Sequence, residues 1–305
     1  MISAIPAVQR VVIVGCGYVG KRLGLALRSR CDVLGIVSRA ASLAGLEAIG
    51  LPGQGVDLDA GAPLSPDWAR DAAVFYLVPP ATDSESDVRL AHLLNGMRRR
   101  PRLFVYMSTT GVYGDAEGSA VTEQTPVNPL TARARRRVTA EGMVRVWCTE
   151  REVRRVVLRV PGIYGPGRLP LGRLASREPA VRVEEAGIGN RIHVDDLVSA
   201  CIATLDMPDA RGIYNVTDGS PMNSTEFLLR VAREAGLPEP PQISMDEAQL
   251  VLSPSRLSFL NESRQVSNRR MLHELKVQLR YADVDEGIRQ SLAEGGQGSS
   301  GSGGR

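Results

Sequence analysis

The sequence predicts an α/β fold: a Rossmann-type doubly wound parallel sheet followed by a smaller C-terminal α+β cap. Three observations carry that prediction. Short apolar runs alternate with helically spaced segments through the first half of the chain. The first run empties into a glycine-rich turn that opens a helix. After Pro161 the texture shifts to Gly- and Pro-rich sequence, PGIYGPGRLPLGR, followed by short strand-like and helical pieces.

Arg10 to Val14 (RVVIV) reads as a buried strand, because a continuous apolar run ending in glycine suits a sheet covered on both faces. Tyr18 to Arg28 carries Val19, Leu23, Ala26 and Leu27 at helical spacing. Val33 to Val37, Val74 to Val78 and Leu103 to Met107 are further strands, and a short third strand precedes Asp57. Ser84 to Arg100 is an amphipathic helix, and the basic helix around Ala132 to Thr149 leads to a sixth strand, Val153 to Val160. In the second half, VRVEE and IYNV read as strands, and Asp195 to Leu205 and Asn223 to Ala235 as helices. Asn223 to Glu226 supplies polar capping residues. The expected division is a dinucleotide-binding domain over 1–160, a partly interleaved cap over 161–294 and a disordered Gly/Ser tail over 295–305.

Composition narrows the function. Of 305 residues, 43% are hydrophobic and 23% charged, which excludes a disordered body. A net charge of +3 gives no broad field for nucleic acid. The arginine runs Arg98-Arg99-Arg100-Arg102 and Arg133 to Arg137 lack interleaved aromatics for stacking bases. Cys16, Cys31, Cys148 and Cys201 form no CxxC pair, so no metal site is expected. The opening MISAIPAVQR lacks a signal-peptide pattern, and no apolar run reaches the ~18 residues of a membrane span. The expectation is a soluble cytoplasmic protein with a small-molecule substrate and neither nucleic-acid nor membrane partners.

Gly15-Cys16-Gly17-Tyr18-Val19-Gly20 is a GxGxxG between strand and helix. The first glycine permits the turn, the second lets a pyrophosphate approach the backbone, and the third lets helix and strand pack closely. The helix N-terminus adds free N–H groups and partial positive charge. Gly15 to Lys21 also satisfies GxxxxGK, but Arg22 follows where a P-loop needs Ser or Thr for Mg²⁺, so Lys21 reads as an exposed first-turn residue. After the second strand an acid would bind the ribose of NAD. Ser38-Arg39 stands there instead, which favours the 2′-phosphate of NADP, with NAD the alternative and plain exposure of Arg39 the bland one. Asp57 and Leu58 either flank the adenine or turn the chain.

Ser108-Thr109-Thr110-Gly111-Val112-Tyr113-Gly114 follows the fifth strand. Together with GCGYVG, PGIYGPG, IHVDD (192–196) and YNV (214–216), it resembles the short-chain dehydrogenase/reductase superfamily. Within it, the chain is similar to the NAD-dependent epimerase/dehydratase branch and its atypical YeeZ-like group, over most of residues 10–290. The resemblance implies a nicotinamide dinucleotide at the strand carboxyl ends. It places Thr109 as the catalytic hydroxyl, Leu77, Val78, Pro79 and Ser108 along the cofactor, and Pro161 to Tyr164 towards nicotinamide and substrate, with Arg168 beyond. His193 reads as structural and the Asp195-Asp196 pair as a helix cap. A helix-mediated homodimer is compatible with the resemblance.

The chain departs from the family at the proton donor, a tyrosine with lysine four residues later. None of Tyr18, Tyr76, Tyr106, Tyr113, Tyr164, Tyr214 and Tyr281 has Lys at +4, and the only lysines are Lys21 and Lys276. Counting back from Glu141, Arg137 falls on the lysine position and Arg133 on the tyrosine position; a small shift puts Thr131 or Ala132 there instead. Arginine is a poor acid but can hold an anion. The alternative is a solvated helix face. Tyr113 and Tyr164 are the nearest phenols for the lost donor, with Tyr113 alternatively packed beneath its loop. The expected function is an NAD(P)-linked oxidoreductase or epimerase/dehydratase-like enzyme without the usual pair, passing hydride to or from a small carbonyl or sugar-like substrate. The alternative is an inactive NADP-binding sensor or scaffold.

Overall fold

The computed structural model describes residues 8–61, 67–81, 84, 86–260 and 262–297. Seven strands form one all-parallel sheet: β1 (Arg10–Val14), β2 (Asp32–Val37), β3 (Gly53–Gly55), β4 (Ala73–Tyr76), β5 (Leu103–Thr109), β6 (Arg154–Val160) and β7 (Gly212–Asn215). Their spatial order is 7-6-5-4-1-2-3. The order reverses between β1 and β4, which opens a crevice at the carboxyl ends where doubly wound sheets bind ligands.

The apolar runs are continuous because both sheet faces are buried. Val11 and Ile13 of β1 pack into one core with Leu23 and Leu27 of α1 (Tyr18–Leu27), while Val12 and Val14 pack into the other with Leu90 and Leu93. That second face carries α3 (Val88–Gly96) and α4 (Ala132–Glu150); α2 (Ala40–Glu47) follows β2. Side-chain alternation along a strand sends neighbours to opposite faces. Thr131 caps α4 by accepting from the Ala134 N–H (3.1 Å), which fixes where the basic helix begins.

The chain does not leave the first core after Pro161. Leu197, Ala200 and Cys201 of α6 (Val194–Asp206), Tyr214 of β7 and Met271 all join the α1-side core. IYNV is thus a strand of the central sheet, not of the cap, and it pairs with β6 from Gly212↔Val156 onward. VRVEE is not a strand: only Ala180–Val181 pairs, with Gln242–Ile243, and Val183–Glu185 is a 3-10 turn. A separate core behind the crevice joins Tyr164, Leu174 of α5 (Leu171–Ala175), Phe227, Leu228 and Val231 of α7 (Ser224–Ala235), and Ile288 of the last helix, Val284–Gln297. Asn223 and Glu226 close the expected capping box on α7. The last helix continues through Gly295 to Gln297, where a tail was expected to begin; residues 298–305 lie outside the described residues. At α6 the cap is His193, whose Nδ1 accepts from the Asp195 N–H, while Asp196 accepts from Arg280 N–H and Tyr281 N–H. No helix among the described residues is long and apolar enough to cross a membrane.

Candidate nucleotide and active site

The crevice is a cleft of about 1010 Å³ along the carboxyl ends of β1, β2, β4 and β5, at the upper end of the ~300–1,000 Å³ common for cofactor sites. Gly15, Gly17, Tyr18, Val19, Ser38, Arg39, Leu58, Leu77, Val78, Pro79, Arg137 and Arg168 line it.

Each glycine of the turn has its own reason. Gly15 sits at φ +86°, and a Cβ there would come within 2.9 Å of Val78 Cγ2. At Gly20 a Cβ would lie 3.0 Å from Ile13 Cγ2, so this glycine serves helix–strand packing and stands off the cleft wall. Gly17 differs: a Cβ would meet nothing nearer than Gly15 O at 4.0 Å and would project into the cleft. That open cradle, at a helix start with no acidic residue in its first turn, suits a pyrophosphate.

Tyr18 ties the turn to the rest of the molecule. Its hydroxyl donates to Pro166 O (3.0 Å), and the guanidiniums of Arg22 (4.1 Å) and Arg168 (4.4 Å) both lie over its ring. Burial raises its phenol above the usual range although both arginines oppose this. Gly165, at φ +150°, leaves room for the contact, since a Cβ there would lie 2.6 Å from the Tyr18 hydroxyl. Lys21 is not simply exposed: it lines the cleft, with Nζ beside Gly45 of α2. Ser42, Asp59, Arg89 and Ile163 also line it. Arg89 closes one edge through Asp59 (2.6 and 2.8 Å), a pair thirty residues apart that no sequence pattern announces.

At the other end α4 crosses the tip of β5. Arg137 Nη1 donates to Met107 O (2.8 Å), Tyr106 Oη (3.1 Å) and Val78 O (3.4 Å). Thr109 ends β5 two residues beyond cleft-lining Met107 but is not itself among the residues that line the cleft; its Oγ1 accepts from the Gly111 N–H (3.2 Å). Ser108 points the other way. Its hydroxyl donates to Glu141 Oε1 (2.6 Å), and Glu141 is held by buried Arg159 (2.7 and 3.1 Å), so Ser108 anchors α4 and does not face a cofactor. Arg133 is exposed one turn before Arg137; burial of part of its side chain lowers its pKa, and Glu262 opposes this.

Four other candidates lie off the cleft. Tyr113 is 2% exposed; its hydroxyl donates to Asn215 Oδ1 (2.8 Å) and Arg159 covers its ring, so it packs beneath the loop. Tyr164 is 3% exposed and sits edge-on to His193 and Phe227, and burial holds its phenol well above the usual range. Asp57 accepts from the Asp59 N–H (2.9 Å) as a turn residue. Pro161 is replaced on the wall by Ile163.

One buried acid makes a testable signature of this half of the molecule. Asp218, in the loop after β7, accepts from the Ser220 N–H (2.9 Å), and burial raises its carboxyl to about 7 against the pull of that hydrogen bond and of Arg191. The fold therefore favours its protonated form. Its contribution to stability is full below the ordinary aspartate value of 3.8 and is lost as pH rises through about 7. Asp218→Asn keeps the acceptor and cannot ionise. Its melting temperature should exceed that of the unaltered protein at pH 8, by roughly 2–4 °C per kcal/mol recovered, and the gap should close below pH 4. A gap that widens towards acid would refute this assignment.

The sheet order, the glycine turn and the cleft at the switch point define a Rossmann-type nucleotide-binding protein. The chain belongs to the NAD-dependent epimerase/dehydratase family. The model for the "NAD dependent epimerase/dehydratase family" matches residues 80–217. The chain is 32% identical over 257 residues to Protein YeeZ of Escherichia coli K12, covering 77% of this chain and 86% of that one. Among solved structures, a conserved protein of unknown function from Silicibacter pomeroyi DSS superposes with TM-score 0.81 at 30% identity, over 94% of this chain and 99% of that one. UDP-glucuronic acid 4-epimerase from Bacillus cereus, in complex with NAD, shares the fold with TM-score 0.74 at 16% identity, over 95% and 99%.

Proposed function

We propose that the protein is an NADP(H)-dependent oxidoreductase of the epimerase/dehydratase type, acting on a small carbonyl or sugar-like substrate without the usual tyrosine–lysine pair. The observation that carries this reading is the cleft itself: an open cradle at Gly17, the Ser38-Arg39 pair at the end of β2 and the Arg137 guanidinium at the tip of β5 all line it. Its fit to a dinucleotide is supported by the cradle a Cβ would fill and by the family's relatives, one of which was solved with NAD.

When bound, the nicotinamide supplies the hydride acceptor or donor. The chain supplies the rest. The Gly15–Gly20 turn and the α1 N-terminus hold the pyrophosphate, with Arg22 and Arg168 adding positive charge beside Tyr18. Ser38 and Arg39 receive the 2′-phosphate. A guanidinium offers only donors, so Arg137 holds oxygen atoms and is not the proton donor. Thr109 donates its hydroxyl proton in a hydrogen bond to the reacting oxygen.

The cofactor corner gives a direct test. Ser38→Asp puts an acid where a ribose hydroxyl would bind and a phosphate would be repelled. The unaltered protein should bind NADPH more tightly than NADH, and the variant should shift the ratio towards NADH by roughly tenfold. Equal or tighter NADH binding before substitution would overturn the NADP reading. A second reading, a dinucleotide sensor without turnover, is favoured by one observation: Tyr113 and Tyr164 are both buried away from the cleft.

A further inference from the structure

Beneath the cleft, four side chains form one buried line ending at Arg137. Tyr76 of β4 and Tyr106 of β5 are register partners, and their rings stack with centroids 5.9 Å apart at 17°. Behind Tyr76, fully buried Asp87 caps α3 by accepting from the Leu90 N–H (3.0 Å) and accepts the Tyr76 hydroxyl at 3.4 Å. In front, Tyr106 Oη accepts from Arg137 Nη1. All three hydrogen bonds of Arg137 use Nη1; among the described residues none uses Nη2 or Nε, and the side chain lines the cleft.

The line makes sense as charge compensation. Asp87 Oδ2 is buried without a hydrogen-bond partner among the described residues, a costly state unless cations stand nearby. Among the described residues, Arg137 and Arg89 act on it as cations, and both line the cleft. Burial raises the Asp87 carboxyl and pushes the Tyr106 phenol up to about 12, each opposed by Arg137. A long arginine side chain has many rotamers and loses entropy when held. Here the holding groups are a phenol and two strand-end carbonyls, already fixed by the sheet.

We propose that Tyr106, backed by Tyr76 and Asp87, is a positioning residue for Arg137: it pins one guanidinium nitrogen to the tips of β4 and β5 so that the other edge faces the bound dinucleotide. This rests on the reading of Arg137 as a dinucleotide contact. It differs from an interaction within α4, because the phenol comes from the sheet.

A double-mutant cycle with NADPH as the probe, read by calorimetry, tests it. Tyr106→Phe keeps the ring and its stack and removes only the hydroxyl. It should weaken NADPH binding about five- to tenfold, and Arg137→Met about tenfold or more. The double variant should bind no more weakly than Arg137→Met alone. Asp87→Asn keeps the α3 cap but removes the charge. It should likewise weaken binding in the unaltered background and do nothing in the Arg137→Met background, and it stands in should Tyr106→Phe fail to fold. Multiplying effects in the double variant would overturn the proposal, because a merely structural role adds independently. So would Arg137→Met weakening binding while Tyr106→Phe leaves it within about twofold. If Arg137→Met itself leaves affinity unchanged, the reading of Arg137 as a dinucleotide contact falls, and the proposal with it.

Discussion

Gly17→Asp is expected to abolish dinucleotide binding while leaving the fold intact. The usual objection to such a variant is that a glycine substitution unfolds the turn. That objection applies to Gly15, where φ is +86° and Val78 lies 2.9 Å from the added carbon. The steric part of it does not apply to Gly17, whose added carbon meets only Gly15 O at 4.0 Å. The new carboxylate would occupy the pyrophosphate cradle with the wrong charge. The expected loss of affinity for NADPH is at least roughly a hundredfold, since excluded volume and like-charge repulsion act together in a partly desolvated cleft. The melting temperature should stay close to that of the unaltered protein. Retained binding would mean that the pyrophosphate does not use this turn.

Thr109→Val is the complementary change. It nearly conserves volume and removes one hydroxyl at the tip of β5. As an enzyme, the protein should lose roughly 10²–10³-fold in turnover, the worth of one donor to the reacting oxygen, with cofactor affinity nearly unchanged. As a sensor, it should lose neither binding nor function. Genetic complementation can compare the two variants before a substrate is known. Failure of both Gly17→Asp and Thr109→Val supports catalysis. Complementation by Thr109→Val but not by Gly17→Asp would remove Thr109 from the chemistry and favour the sensor. The Thr109 Oγ1 also accepts from the Gly111 N–H, so a melting curve must accompany the valine variant to separate a lost cap from a lost donor.

How much of this was readable from the sequence follows from how local each feature is. The strand, turn and helix over residues 10–27 are contiguous in sequence, so the GxGxxG pattern could be read directly, although the contact that demands glycine at 15 comes from Val78, beyond the carboxyl end of β4. Ser38-Arg39 could be placed because strand carboxyl ends in a parallel sheet face the crevice, whereas Leu77 to Pro79 came from the family resemblance. Features that depend on distant partners were not. Gly212–Asn215 joins β6 because its edge is free there, which a four-residue strand cannot announce. Tyr18 is clasped by Arg168 from a loop 150 residues away. Tyr113 could be read as packed beneath its loop, but its bond to Asn215, a partner far along the chain, could not. Ser108 and Thr109 are adjacent in sequence yet serve opposite faces of β5. Strand alternation separates them, but only the position of Glu141 says which one faces the helix.

The central claim is that the cleft along β1, β2, β4 and β5 holds a nicotinamide dinucleotide, with NADP(H) preferred. The most direct measurement is calorimetric titration of the unaltered protein with NADPH and NADH under identical conditions. Saturable one-site binding, tighter for NADPH, is expected. Absence of saturable binding by either dinucleotide would contradict the claim.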